Sequence, residues 1–136
     1  MTAKEYLKQS LAIEKLIDSK ERLLHKLRQK AKSLSSPLLG DKVNSSVADR
    51  MTVIDWIIDL ETEILEQEKS LVMKQREILG SIQLVCNPDL IAVLTDIYIT
   101  GMSIEDIAEA KKKSVRTISA WHGQALQIFR RETGMK

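Results

Sequence analysis

Positive charge is concentrated near the C-terminus, in a pattern suited to binding anions. Between residues 111 and 131 the chain carries six lysine or arginine side chains and no acid. A local excess of this kind attracts phosphate backbones. A solvated charged face is the other interpretation. Phosphate binding is favoured because these cations coincide with a helical motif.

That motif has the pattern of a helix-turn-helix. Ser103 and Ser114 are each placed to cap a helix start, and two acids follow Ser103 in its first turn. The motif needs a small residue where its helices approach and an apolar residue ten positions later, and Ala108 and Ile118 supply that pair. Trp121 is expected to anchor the core. The predicted motif core is Ile104, Ile107, Ala108, Ile118, Trp121 and Ala125.

The second helix of the motif, from Ser114 to Phe129, is expected to lie in the major groove of DNA. The residues expected to face base edges are Ser114, Arg116, Ser119, Ala120 and Gly123. Among these, only Arg116 has the length and the forked head group to read a guanine. The residues expected to face phosphates are Lys111, Lys112, Lys113, Thr117, Gln124, Arg130 and Arg131. With one long base-reading side chain per copy, two copies should act together, which predicts a homodimer.

The motif resembles region 4 of bacterial sigma factors over the part of the chain that begins near residue 86. This resemblance rests on Ile107, Ala108, Ser114, Thr117, Ile118, Ala125 and Leu126. Together with the long helical N-terminal half, it makes most of the chain similar to the ArpU/RinA-type transcriptional regulators of phages and prophages. The resemblance implies a phage-encoded regulator that acts beside host RNA polymerase. One difference is that Lys111 to Lys113 stand where sigma-like motifs have a glycine-containing turn, so a left-handed residue there should be strained.

The N-terminal half is expected to form an antiparallel helical hairpin, residues 1 to 85, that mediates oligomerisation. A first helix is predicted over residues 3 to 34, a linker over 35 to 49 and a second helix over 50 to 85. The second helix is acidic, so its carboxylates should pair with lysines of the first. The stripe on the first helix is Tyr6, Ile13, Ile17, Leu24, Leu27, Ala31 and Leu34, with Ser10 and Lys20 as polar interruptions. The stripe on the second is Ile54, Ile57 or Ile58, Ile64, Leu71, Ile78, Ile82 and Val85.

Residues 86 to 136 are expected to form a separate DNA-binding domain. Asn87 followed by Pro88 predicts the start of a third helix, which should end at Gly101. Cys86 is expected to be a small buried residue just before this cap. A domain of this size is marginally stable by itself, so docking onto the hairpin would help it.

Composition restricts the remaining possibilities. With 43% hydrophobic and 29% charged residues and only two prolines, the 136-residue chain should be all-α. The single cysteine excludes an internal disulfide, and no residue spacing suggests metal, cofactor or catalytic chemistry. Without catalytic chemistry the protein is not expected to be an enzyme. No apolar run would span a membrane and the first residues are unlike a signal peptide, which predicts a cytoplasmic protein.

Two functions remain open at this point. One is a DNA-binding transcription regulator with double-stranded DNA, and through the resemblance RNA polymerase, as partners. The other is a DNA-packaging or assembly adaptor, similar to a small terminase, whose hairpin drives oligomerisation. Both accommodate a helix-turn-helix, and the resemblance favours transcription.

Overall fold

The computed structural model describes residues 1 to 34 and 43 to 136, and these ranges contain helices and turns but no strand. The α-helices are α1 (Ala3–Leu7), α2 (Gln9–Leu34), α3 (Val43–Ile82), α4 (Pro88–Thr95), α5 (Ile104–Lys111) and α6 (Val115–Thr133). The expected all-α class is therefore confirmed for the described residues. The first part of the expected linker, residues 35 to 42, lies outside them.

Helix α3 begins earlier than the sequence predicts. The sequence places residues 43 to 49, which include two serines, in the linker, yet the helix starts at Val43 and runs for 40 residues. Serine lowers helix propensity only slightly, and a long helix with an apolar face gains more from packing than a few such residues cost. At the other end the α-helix stops at Ile82, and a single 3-10 turn covers Gln83–Val85.

The first predicted helix is nearly continuous. Thr2 and Glu5 form a capping box at its start, in which each side chain bonds the other residue's backbone N–H. Lys8 separates α1 from α2, with φ −80° and ψ −6°. The hydrogen bonds from Lys8 N to the Lys4 carbonyl (3.0 Å) and from Ala12 N to the Lys8 carbonyl (3.1 Å) carry the helical path across it.

The chain forms two compact units whose bounds differ from the division expected between residues 85 and 86. The terminal unit contains Met1–Ile13 and Leu71–Lys136, and the central unit contains Glu14–Ser70. Both ends of the chain thus belong to one unit. The predicted 50-residue C-terminal domain has its core completed by the first residues of the chain and the last turns of α3.

The core of the terminal unit is centred on Phe129 rather than on Trp121. Phe129 is completely buried, together with Leu7, Ile78 and Leu94. Trp121, which we expected to be the anchor, is only partly buried and packs against the rims of two core clusters. Its large ring suits a rim position because it can be covered on one side and still reach solvent on the other.

The central unit buries one face of α2 against one face of α3. The buried residues in the described part of this unit are Ile17, Leu24, Leu27, Leu60 and Ile64. The expected pairing of a lysine of α2 with a carboxylate of α3 is present at Lys20 and Glu63 (3.3 Å), and Arg28 also pairs with Glu61 at 3.2 Å. The α3 stripe differs in part from the prediction, since Leu60 joins it while Ile54 is 38% and Ile58 56% exposed. The sequence leaves Ile57 and Ile58 as alternatives for this stripe. Ile57 is the half-buried one and therefore belongs to it.

The connection from α3 to α4 is built on a left-handed residue. Cys86 has φ 62° and is exposed, which corrects the expectation that it is buried. Asn87 then caps α4 as predicted, accepting bonds from the N–H groups of Asp89 and Leu90, and Pro88 takes the first helical position. The last turn before Gly101 is a π-helical segment, Asp96–Thr100. Gly101 ends it with φ 81°, as glycine allows without strain.

Candidate nucleic-acid interface

Local hydrogen bonds fix the start of α5 and of α6. The Ser103 hydroxyl accepts from the N–H of Asp106 at 3.1 Å, and the Ser114 hydroxyl accepts from the N–H of Thr117 at 3.1 Å. Both predicted caps are therefore present. Each satisfies a backbone donor that the first turn of a helix leaves without an intrahelical partner.

The turn between these helices places a lysine in the left-handed region. Lys112 has φ 55° and ψ 43°. The N–H of Lys113 bonds the Ala108 carbonyl at 2.9 Å and that of Lys112 bonds the Glu109 carbonyl at 3.2 Å, the paired pattern of a Schellman helix end. The turn thus forms without the glycine that such an end usually has, at the cost of left-handed strain on a side chain with a Cβ atom.

Helix α6 has one covered face and one open face. Ile118, Ala125, Leu126 and Phe129 are buried. All residues expected to face bases lie on the open side or at the exposed start of the helix, namely Ser114, Arg116, Ser119, Ala120 and Gly123. A Cβ atom added at Gly123 would meet nothing within 4 Å, so the surface there is both shallow and unobstructed.

The residues expected to face phosphates are less uniform. Lys112, Lys113 and Gln124 are exposed, whereas Lys111 and Thr117 are half-buried. The Thr117 hydroxyl lies 2.8 Å from that of Ser114, so both groups are already engaged at the cap.

The two arginines near the end of α6 also differ from each other. Arg131 is exposed and its Nε lies 3.3 Å from a carboxylate oxygen of its neighbour Glu132. Arg130 is half-buried, and its Nε is buried without a hydrogen-bond partner among the described residues. Arg130 is therefore positioned more by packing than the sequence suggests, while Arg131 is open to a ligand.

The predicted motif core divides into four buried residues and two partly buried ones. Ile107, Ala108, Ile118 and Ala125 are buried. Ile104 and Trp121 pack from the edge against the cluster that contains Ile107, Ala108 and Ile118, whereas Ala125 belongs to the cluster around Phe129. The interval between Ala108 and Ile118 thus joins α5 to α6 within one cluster, as the spacing predicts.

A polar contact that the sequence does not reveal links α6 to the π-helical turn. The Tyr98 hydroxyl lies 2.8 Å from His122 Nε2. Burial lowers the pKa of His122, and the positive charges of Lys4 and Lys8 lower it further. Burial raises the pKa of Tyr98, an effect that the charge of Arg130 opposes. Both groups are therefore held in their neutral forms, in which His122 Nε2 can accept a hydrogen bond from the Tyr98 hydroxyl.

The first turns of the chain pack directly on α6, which sequence reasoning missed. Tyr6 stacks on Phe129 with ring centroids 6.3 Å apart, and the N–H of Ala3 bonds the Lys136 carbonyl at 2.9 Å. Ala3, Leu7 and Ser10 are completely buried. Their spacing of four and three residues is a helical signal for a buried face, but nothing local indicates which helix covers it.

The described residues provide neither a metal-binding cluster nor a membrane-spanning helix. Among them, no group of three or more histidine, cysteine, aspartate or glutamate side chains is arranged to hold a metal ion. None of the helices formed by these residues combines the length and apolar character needed to cross a membrane.

Comparisons of the chain with protein-family models, with curated proteins and with solved structures found no match.

Proposed function

We propose that the protein is a transcription regulator, encoded by a phage or prophage, that binds double-stranded DNA in the bacterial cytoplasm with α6 in the major groove. The observation that supports this most directly is the open face of α6. It combines small side chains with a single long reading residue, Arg116, and the exposed Lys112 and Lys113 lie just before its first turn. A major groove about 12 Å wide admits one helix with such a face.

Each part of this face has a separate role in the proposed complex. Ser119, Ala120 and Gly123 let the helix approach the base edges closely, and a small side chain can also accommodate a thymine methyl group. Arg116 donates two hydrogen bonds to O6 and N7 of a guanine. Lys112 and Lys113 bind phosphates and fix the register, without sequence preference.

Arg116→Ala tests this assignment. A preferred site is first selected from a pool of random DNA, and affinity is then measured for that site and for scrambled DNA. Loss of a bidentate guanine contact should cost about 1 to 3 kcal/mol on the selected site and little on scrambled DNA. Arg131→Ala is the matched control, since removal of a phosphate contact should weaken both complexes alike. Equal losses from Arg116→Ala on both DNAs would make Arg116 a phosphate contact.

We further propose that two copies associate through the helical hairpin to hold two α6 helices on paired half-sites. An exposed apolar row on α3 supports this, since Met51, Ile58 and Leu65 recur every seven residues and are 59%, 56% and 54% exposed. Heptad spacing lets such side chains pack between those of a second helix. A second copy of the chain offers the same row, and in a two-fold arrangement each covers the other.

Sedimentation equilibrium tests the dimer with Met51→Gln, Ile58→Gln and Leu65→Gln combined. The wild-type protein should sediment as a dimer and the triple variant as a monomer. Leu84→Gln with Val115→Gln is the control, because it replaces exposed apolar residues outside the row. A monomeric wild-type protein at micromolar concentration, with and without DNA, would exclude this mode of association.

Transcription in vitro separates regulation from the adaptor alternative. The regulator should protect DNA upstream of a phage promoter at physiological salt, and purified protein should change transcript level when host RNA polymerase acts on that template. Protection at a packaging site, with transcription unchanged, would instead favour the DNA-packaging or assembly adaptor.

A further inference from the structure

The first turns of the chain are fixed against the proposed recognition helix by their apolar face. Ala3 and Leu7 are buried in the same cluster as Ala125, Leu126 and Phe129 of α6. The Tyr6 ring also stacks on Phe129, and Ala3 bonds to the end of the chain just beyond α6. This segment is therefore a fixed part of the surface beside α6 and not a free tail.

An exposed side of this segment, next to its buried face, carries two lysines in helical register. Lys4 and Lys8 are exposed and four residues apart, so they project from one side with a rise of about 6 Å between them. Neither takes part in any of the ion pairs between described residues. The nearest acid in sequence, Glu5, is engaged by the Thr2 N–H at 3.0 Å.

Both lysines lie close enough to the middle of α6 to act on it electrostatically. Their charges lower the pKa of His122, which lies between the buried residues of α6 and its open face. His122 lies on the same helix as the proposed base-facing positions. The segment that carries Lys4 and Lys8 therefore packs against the helix that would enter the groove.

We infer that Lys4 and Lys8 form a second phosphate-binding site, which contacts the DNA backbone beside α6. It acts in addition to the phosphate contacts proposed for Lys112 and Lys113, just before α6. This inference rests on the proposed function and adds a segment distant in sequence to the DNA-binding surface. The two ammonium groups can reach separate phosphates, which recur about every 3.4 Å of duplex axis along one strand. As point charges they would add affinity and orientation but no base preference.

The test is the salt dependence of binding to random-sequence duplex DNA by the full chain carrying Lys4→Gln and Lys8→Gln. Each phosphate contact contributes a slope of about −0.9 to log affinity against log salt. Losing two contacts per copy should make the slope shallower by about 1.8 per bound copy. Between about 50 and about 200 mM salt, wild-type affinity should then fall roughly twelvefold more than that of the variant, for each bound copy.

Lys26→Gln with Lys30→Gln is the matched control. These lysines are also exposed and four residues apart, but they belong to the central unit. The control removes the same net charge and should keep the wild-type slope. Circular dichroism of all three proteins establishes that the substitutions leave the helices intact.

The outcomes separate this inference from the proposed function. If the wild-type protein binds DNA and both double variants have the same slope, Lys4 and Lys8 do not contact phosphate and only this inference fails. If the wild-type protein binds no duplex DNA at low salt, the proposed function fails and this inference with it. DNA-dependent protection of Lys4 and Lys8 from amine acylation, measured by mass spectrometry, should accompany the shallower slope. Undiminished acylation of both lysines would overturn the inference.

Discussion

The terminal and central units differ in how completely they cover their apolar side chains. In the terminal unit, side chains from α1, α3, α4, α5 and α6 surround one another, and Phe129, Ile82 and Ile107 are completely buried. Among the described residues of the central unit, even the most buried one, Leu60, retains 4% of its surface, and Trp56 is 50% exposed. Two packed helices can bury only one face of each helix, whereas several short helices can surround a core on all sides. The exposed apolar side chains of the central unit therefore offer a surface on which a partner would add stability.

The two units also differ in backbone regularity. Among the described residues, every left-handed position lies in the terminal unit, at Cys86, Gly101, Lys112 and Gly134. The 3-10 turn and the π-helical turn are there as well. Enclosing a core with short helices requires sharp reversals of the chain, and the terminal unit accepts local strain to make them.

The largest expected effect tests whether the terminal unit is the more tightly packed one. Phe129→Ala removes a completely buried ring and should lower the free energy of unfolding by about 3 to 5 kcal/mol. Val115→Ala, at a 45% exposed position of the same helix, should cost under about 0.5 kcal/mol. Urea titrations provide both values.

Tryptophan fluorescence can show which of the two units is destabilised by Phe129→Ala. Trp121 belongs to the terminal unit and Trp56 to the central unit, so Trp56→Phe and Trp121→Phe backgrounds each leave one reporter. Phe129→Ala should shift the Trp121 transition more than the Trp56 transition. Identical shifts would mean that the units unfold as one, and the contrast in packing would then have no energetic counterpart.

Sequence reasoning succeeds where the determining interactions are local. Asn87, Ser103 and Ser114 cap helices as predicted because each bonds a backbone group two or three residues away. It fails where contacts between residues that are distant in the sequence determine the structure. No local pattern shows that Tyr6 stacks on Phe129, and none shows that the first turns of the chain complete the core of the last helix.

The candidate site also has features that the local sequence predicts and features that only tertiary packing determines. The open face of α6 follows from helical periodicity, since buried and exposed positions alternate with the helix turn. By contrast, the contact of Tyr98 with His122 and the proximity of Lys4 to His122 depend on tertiary packing. The half-buried state of Arg130 could not be foreseen either, because a charged residue at a helix end is usually solvated.

An intermediate effect is expected for a buried polar contact of the terminal unit. Ser10 is completely buried and donates to the Tyr98 carbonyl at 3.0 Å, where the backbone forms the π-helical turn. Ser10→Ala leaves that carbonyl without its partner and should cost about 1 to 3 kcal/mol. Ser19→Ala in the exposed surface of the central unit is the control and should be nearly neutral. Similar small losses at both positions would show that another donor replaces Ser10.

The pH dependence of stability should also distinguish the units. Because the folded-state pKa of His122 lies below its ordinary value of about 6.5, the folded protein favours the neutral imidazole. The stability of the folded state is therefore not reduced by His122 above about pH 6.5, and it falls as the pH drops through 6.5 towards the lower folded-state pKa, because the unfolded chain binds the proton more readily. His122→Gln should remove this part of the acid destabilisation, measured by thermal unfolding between about pH 7.5 and about pH 5. His25→Gln in the central unit should retain it, and an unchanged profile for His122→Gln would contradict the assignment.

The smallest expected effect concerns the strain in the turn before α6. Lys112 holds a left-handed conformation that costs a residue with a Cβ atom about 1 to 2 kcal/mol, whereas glycine adopts it freely. Lys112→Gly should therefore stabilise the terminal unit, by up to about 1 kcal/mol once the greater freedom of glycine in the unfolded chain is subtracted. Lys111→Gly, one residue earlier in the last turn of α5, should instead destabilise it by up to about 1 kcal/mol. Both variants lose one positive charge, so the opposite signs in urea unfolding would isolate the backbone effect. A loss of stability in both would mean that the lysine side chain, and not the turn geometry, dominates at position 112.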